Sequence, residues 1–291
     1  MATARDWMLA ARPKTLPAAV TPVLLGTALA SADGAFVAPA AGLCLAFALF
    51  MQVGVNMAND YLDGARGADA AERLGPTRMV ASGRIAPAAM RRAALGVLAA
   101  GFALGLGLIP FGGWWLLAVG IASVLSAWGY TGGPYPLAYH GLGDVFVVLF
   151  FGCVATGVTY YTQAGEFPAR ALALGLGCGL LTNNILVVNN YRDAEADRAA
   201  GKLTLVARAG RRFARGLYAV SGAAAAGAML YLAGSGYGLG LAPAAALALA
   251  SIALVPRLAR AASAADYGRL LAASSGLVAG YGILGAAGLL L

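Results

Sequence analysis

The sequence predicts an all-α fold, a multi-span transmembrane helical bundle of about nine helices, on three observations. The 291 residues are 60% hydrophobic and only 11% charged, against roughly 25% charged in soluble domains. Several charge-free stretches, 16–32, 34–59, 93–143, 145–165, 171–191, 216–256 and 270–291, reach the roughly 17–25 residues that cross a bilayer. Finally, Lys and Arg return at alternate ends of these stretches. With the N-terminus inside, they fall in the tail (Arg5, Arg12, Lys14), in 66–92, in 192–215 and at Arg257, Arg260 and Arg269, leaving only Arg170 outside. That asymmetry sets orientation and predicts a multi-pass protein of the inner (plasma) membrane, with the N-terminus and active-site loops cytoplasmic. The net charge of +8 reads as topology plus contact with anionic membrane lipid. Nucleic acid is not an expected partner, because the cations follow span ends instead of forming one basic face.

In chain order, Trp7 and Arg12-Pro13-Lys14-Thr15 place an aromatic anchor and cations at the interface before the first span. Ala28-Leu29-Ala30-Ser31-Ala32 imitates a signal-peptidase site, but Pro17 and Pro22 inside the run and the many later spans argue for a retained, kinked or cavity-lining helix. The second span ends in Asn56-Met57-Ala58-Asn59-Asp60-Tyr61-Leu62-Asp63. Pro110-Phe111-Gly112-Gly113 divides 93–143 into two spans, and Gly132-Gly133-Pro134-Tyr135-Pro136 closes the second of them. Span five starts near Asp144, a lone acid expected to cap the helix or orient a neighbour, and span six ends in Asn189-Asn190-Tyr191-Arg192-Asp193-Ala194-Glu195-Ala196-Asp197. Gly234-Ser235-Gly236-Tyr237-Gly238 separates spans seven and eight. The whole chain, 1–291, reads as one domain with two pseudo-repeated Asp-rich motifs, at 56–69 and 189–197.

Both motifs read Asn-(Asp/Asn)-Tyr-x-Asp and end an apolar run, in a chain with only 12 acidic residues. On a helix Asn56, Asp60 and Asp63 share one side, as do Asn189, Asp193 and Asp197. Gly64 and Gly67 open the chain so that Asp69 turns back toward the first pair. Acids at a membrane edge are functional by default, and several facing one another need a shared cation. Oxygen ligands without Cys or His favour a hard ion, and an incomplete ligand set completed by phosphate favours Mg²⁺. Guanidinium and ammonium groups in the adjoining loops suit a diphosphate, which at a lipid interface implies a lipid diphosphate. Cys44, Cys153 and Cys178 lack metal-ligand spacing and read as packing residues. A single histidine, His140, makes no His-based metal site.

Asn59-Asp60-x-x-Asp63 with a downstream Asp69, and Asp193-x-x-x-Asp197, resemble the two Asp-rich motifs of the UbiA superfamily of intramembrane prenyltransferases over essentially the whole chain. Arg12-Pro13-Lys14-Thr15-Leu16, Arg73-Leu74-Gly75-Pro76-Thr77-Arg78, Tyr130-Thr131-Gly132-Gly133-Pro134 and Asp197-Arg198-Ala199-Ala200-Gly201-Lys202 resemble the branch that prenylates 1,4-dihydroxy-2-naphthoate in menaquinone biosynthesis. Asp69 stands six residues after Asp63 where many members have four, a spacing that the naphthoate branch shares.

The resemblance implies Mg²⁺ held by Asp60, Asp63, Asp69, Asp193 and Asp197, with the amides of Asn56, Asn59 and Asn189 nearby. It implies diphosphate contacts from Arg66, Arg78, Arg198 and Lys202, Lys14 on the naphthoate carboxylate, and Tyr130 as a further substrate-binding residue. The expected reaction joins a polyprenyl diphosphate to 1,4-dihydroxy-2-naphthoate, with loss of diphosphate and carbon dioxide, in a central cavity opening near the cytoplasmic face. A benzoate, a homogentisate or a chlorin is the alternative acceptor. A CDP-alcohol phosphotransferase is excluded, because after Asp60-x-x-Asp63-Gly64 the Ala-Arg pair comes two residues early and the second half of that motif is missing. A transporter remains the rival from another class, although its acids belong near mid-membrane and not at span ends.

Overall fold

A computed structural model describes residues 2–65, 75 and 77–291, and among the described residues every regular element is helical. Thr3 caps helix α1 (Ala4–Ala11), its hydroxyl accepting from the Asp6 N–H while the Asp6 carboxylate takes the Thr3 N–H. This reciprocal cap fixes the start of the helix. Arg12, at φ +52°, ends it. A single turn, Pro13–Thr15, then leads into α2 (Pro17–Ala32) across a 49° bend. Pro17 sits in the first turn of α2, where its missing N–H costs nothing.

The chain continues through α3 (Ala38–Ala65), α4 (Pro87–Leu106), α5 (Trp115–Gly129), α6 (Gly143–Ala164), α7 (Ala169–Ala199), α8 (Leu205–Tyr237), α9 (Leu239–Arg260) and α10 (Ala264–Leu290). Among the described residues seven helices are long and apolar enough to cross a membrane, eight with the bent α1–α2 pair. The ninth expected span, α5, has only 15 residues. The Pro110–Gly113 turn delays its start, and Thr131-Gly132-Gly133-Pro134 stops it. The second Asp motif lies on its helix, as expected from its i, i+4, i+8 spacing, and α7 runs on beyond the apolar stretch 171–191 to Ala199.

Helix α7 is the hub. Of its most apolar window 72% is buried, against 22–44% for the other spanning helices, and it packs on α6, α8 and α10. The approach to α6 is backbone to backbone: a methyl added at Gly179 would stand 2.5 Å from the Val148 carbonyl oxygen. Small residues permit such crossings in lipid, where dispersion contacts and not water drive association. Here α6 carries a six-residue π-helical segment, Leu149–Val154, which locally shifts the face it presents.

At the end of the bundle away from the Asp motifs, Asp33 accepts hydrogen bonds from Tyr160 (2.6 Å), Tyr237 (2.6 Å) and Arg170 (3.1 Å), and Arg170 also pairs with Glu166 at 3.0 Å. Burial pushes the Asp33 carboxyl up, and the three donors outweigh it, leaving it below the usual carboxylate value. One carboxylate thus ties the ends of α2, α6, α7 and α8 together, and Arg170, the one cation outside the basic loops, is its partner.

Candidate active site

At the end of α3, Asn56, Asp60 and Asp63 are all buried and lie on one helical side. Asn56 donates to the Ala11 carbonyl (2.9 Å) and to Thr15 Oγ1 (3.0 Å), and Gln52 donates to the same Thr15 oxygen (2.8 Å). This fastens the bend before α2 to α3. The two Asp60 oxygens accept the Met79 and Val80 N–H groups at 3.0 and 2.9 Å, so the chain after the motif folds back over it. Asp63 Oδ2 pairs with Arg78 at 3.2 Å, while Asp63 Oδ1 is buried and accepts no hydrogen bond.

At the end of α7, Arg192 grips Asp193 with two hydrogen bonds of 2.7 Å, both side chains being buried. Such a bidentate pair is the strong form of charge-assisted hydrogen bond. Lys202 Nζ stands 3.7 Å from Asp197 Oδ1, 5.8 Å from the centre of the Tyr139 ring. Arg198 donates to the Ala207 carbonyl, holding the turn after α7. Asn189 donates to Ile185 of its own helix at 3.0 Å.

The segment between α5 and α6 links the two ends. Thr131 donates to Asn59 Oδ1 at 2.9 Å, and Tyr139 accepts the Leu203 N–H at 3.1 Å. His140 closes this loop, with Nδ1 2.8 Å from the Pro136 carbonyl oxygen and its ring stacked on Tyr135. Tyr130 stands in the middle. Burial first, then the charges of Asp144, Asp63 and Asp197, push its hydroxyl well above the ordinary tyrosine value, so it stays a neutral donor. One residue of each Asp motif therefore acts on the same hydroxyl.

Beyond Tyr130 lies a cavity of about 140 Å³. Its wall is apolar, with Val23, Phe47, Met51, Val147 and Phe151 from α2, α3 and α6. Among the described residues, its lining hydroxyls are those of Ser123, Ser126, Thr159 and Tyr130 itself. It can exclude water from a hydrocarbon chain but cannot hold charge.

The sequence-derived candidates divide accordingly. Asn59, Asp63, Asp197 and Lys202 meet the 130–142 loop through Thr131, Tyr130 and Tyr139, Arg78 joins through Asp63, Asp60 is held by the Met79 and Val80 N–H groups, and Asp193 lies with Arg192 near Tyr267 of α10. Lys14 is exposed at the bend before α2, its carbonyl accepting from Ser275 at 2.6 Å. Arg66 and Asp69 lie outside the described residues. Among the described residues no three acidic, His or Cys side chains stand at metal-binding separation. The donor set nevertheless fits a hard divalent cation: it is all oxygen, and the buried Asp63 Oδ1 lacks a donor.

Three participants were not singled out from sequence. Arg192 and Thr131 are the partners of Asp193 and Asn59. Asn183, 1% exposed inside α7, donates to Asp144 Oδ1 at 3.0 Å. The signal for Asn183 was present, since Asn183-Asn184 interrupts an otherwise apolar run.

The family model described as the UbiA prenyltransferase family matches residues 19–274. A 1,4-dihydroxy-2-naphthoate octaprenyltransferase of Mycobacterium tuberculosis is 43% identical over 226 residues, covering 76% of this chain and 77% of its own. The Escherichia coli protein of the same name is 38% identical, covering 73% of this chain and 71% of its own. A UbiA homologue from Archaeoglobus fulgidus, solved with GPP and Mg²⁺, superposes with a TM-score of 0.66 at 15% identity, over 96% of this chain and 98% of that one. With that family match spanning nearly the whole chain and two such relatives agreeing with it, the chain belongs to the UbiA prenyltransferase family.

Proposed function

We propose that this protein transfers a polyprenyl group from its diphosphate to 1,4-dihydroxy-2-naphthoate, releasing diphosphate and carbon dioxide and forming the demethylmenaquinone skeleton. The observation that supports the reading is that Tyr130, which lines an apolar cavity, feels the charge of one acid from each Asp motif, Asp63 and Asp197. The names of the relatives at 38–43% identity support the acceptor.

Asp60 and Asp63, opposite Asp193 and Asp197, would hold Mg²⁺, whose bound charge offsets that of the departing diphosphate. Arg78 and Lys202, already seated beside Asp63 and Asp197, are placed to turn toward phosphate oxygens. Arg198 holds the loop, and Arg66 is a further candidate from the segment after α3. The cavity wall takes the first isoprene units and keeps water from the allylic cation as the C–O bond breaks. Tyr130 donates a hydrogen bond at the junction of tail and ring, and Lys14 is assigned to the acceptor carboxylate. The site faces the cytoplasm of a plasma membrane, because the basic loops lie at its end of the bundle.

Detergent-purified protein, a prenyl diphosphate and 1,4-dihydroxy-2-naphthoate, with and without Mg²⁺, test this by mass spectrometry. The expected outcome is prenylated, decarboxylated product only with Mg²⁺. Product from a benzoate or homogentisate alone would replace the acceptor, and binding without turnover of any acceptor would end the transferase reading.

A further inference from the structure

Asp144 belongs to neither Asp motif, yet it is among the most confined acids in the molecule, 5% exposed in the first turn of α6. Its Oδ1 accepts from Asn183, while its Oδ2 and the Asn183 Oδ1 are both buried without a hydrogen-bond partner. A strut between α6 and α7 would be satisfied at both ends, and an apolar pair would cost less. A carboxylate left half-unpaired inside a spanning helix bears on function.

Its position says which function. The Tyr130 hydroxyl lies against the adjacent Gly143, where an added methyl would stand 2.8 Å from it. One turn further along α6, Val147 lines the cavity. Asp144 therefore stands beside the Tyr130 hydroxyl, on which its charge acts as do those of Asp63 and Asp197, and one turn before the residues of α6 that line the cavity.

We propose that Asp144, steadied by Asn183, is the catalytic base that takes the proton of the acceptor's ring hydroxyl as the ring attacks. This rests on the acceptor reading above. The new C–C bond forms between the carboxylate-bearing ring carbon and the allylic carbon, whose bond to the diphosphate oxygen breaks. The hydroxyl O–H electron pair becomes a C=O bond, and the proton passes to Asp144 Oδ2. The resulting β-keto acid anion loses carbon dioxide, its C–C electrons restore the aromatic ring, and the oxygen takes the proton back. No external acid, base or oxidant is consumed.

The test compares wild type with the isosteric Asp144→Asn and with Asp144→Glu. With Asp144→Asn, kcat falls about 100-fold, the size of a lost general base, while prenyl diphosphate binding is unchanged. Its residual rate climbs with pH, and a halogen-substituted acceptor with a more acidic hydroxyl narrows the gap to wild type. Asp144→Glu recovers part of the loss. A kcat within threefold of wild type, or a loss equal at every pH and with every acceptor, overturns the assignment. Should Asp144→Asn fail to bind prenyl diphosphate, Asn183→Ala decides: removing the N–H donor must move the acid limb of the kcat profile to higher pH, and an unmoved limb overturns the assignment. A wild type inert toward the naphthoate sinks the acceptor reading and this base together, whereas an active wild type matched by Asp144→Asn sinks the base alone.

Discussion

The ends of α3 and α7 carry the same motif and hold it differently. Asp60 is held by backbone N–H groups 19 and 20 residues downstream, so that half of the site exists only once the following segment has folded back. Asp193 is gripped by the neighbouring side chain of Arg192, a contact made within α7 itself. The repeat thus fixes where carboxylates stand, while what steadies them is chosen separately in each copy. One carboxylate takes its partners from a distant segment, and the other takes one from its own helix.

The largest expected effects test whether the halves are chemically equal and structurally unequal. Asp60→Asn and Asp193→Asn each lower kcat by about 10²–10³-fold, as for loss of one electrostatic stabiliser. Their thermal stabilities in detergent should separate. Asp193→Asn strands a buried guanidinium, costing about 3–5 kcal/mol, whereas Asp60→Asn keeps one acceptor for two N–H groups and costs about 1–3 kcal/mol. Equal melting temperatures would erase the distinction. Next, Arg78→Met should raise the KM for prenyl diphosphate about tenfold, the equivalent of about 1.4 kcal/mol, as its leading effect, while stranding the buried Asp63 carboxylate also lowers the melting temperature. Arg192→Met should do the reverse, losing stability first, and matched behaviour of the two variants would break the comparison.

Thr131→Val removes the tie between the 130–142 loop and Asn59 at about 1 kcal/mol, and limited proteolysis should find that loop cut sooner while the turn after α7 stays protected. The smallest effect belongs to Lys14→Ala. Being exposed, Lys14 should shift the acceptor KM only a fewfold, since solvent screens such contacts. A loss of a hundredfold in acceptor kinetics would show that it folds into the site.

Much of this was legible from the letters. Apolar run lengths gave the spans, and the i, i+4, i+7 spacing put Asn56, Asp60 and Asp63 on one side of α3. The i, i+4, i+8 spacing likewise put Asn189, Asp193 and Asp197 on one helical face, although the apolar stretch alone stops at Tyr191, because a charge-rich helical end looks like a loop by hydropathy. The clasp between Tyr139 and Leu203 uses backbone groups, which every sequence possesses and none advertises. Arg192 was read as a loop cation because a residue next to an acid is seldom its partner on a helix. The Asp144–Asn183 pair is half visible: the lone acid stands out at the start of a span, and its amide partner lies within an otherwise apolar run.

The knot of Asp33, Tyr160, Tyr237 and Arg170 at the opposite end has a consequence for the membrane as an insulator. A bundle that keeps carboxylates, amides and an internal cavity within a bilayer is one opened wall away from an ion leak. By joining the ends of four helices through one carboxylate, the knot resists their separation, so that an ion path through that end of the bundle would first have to break it.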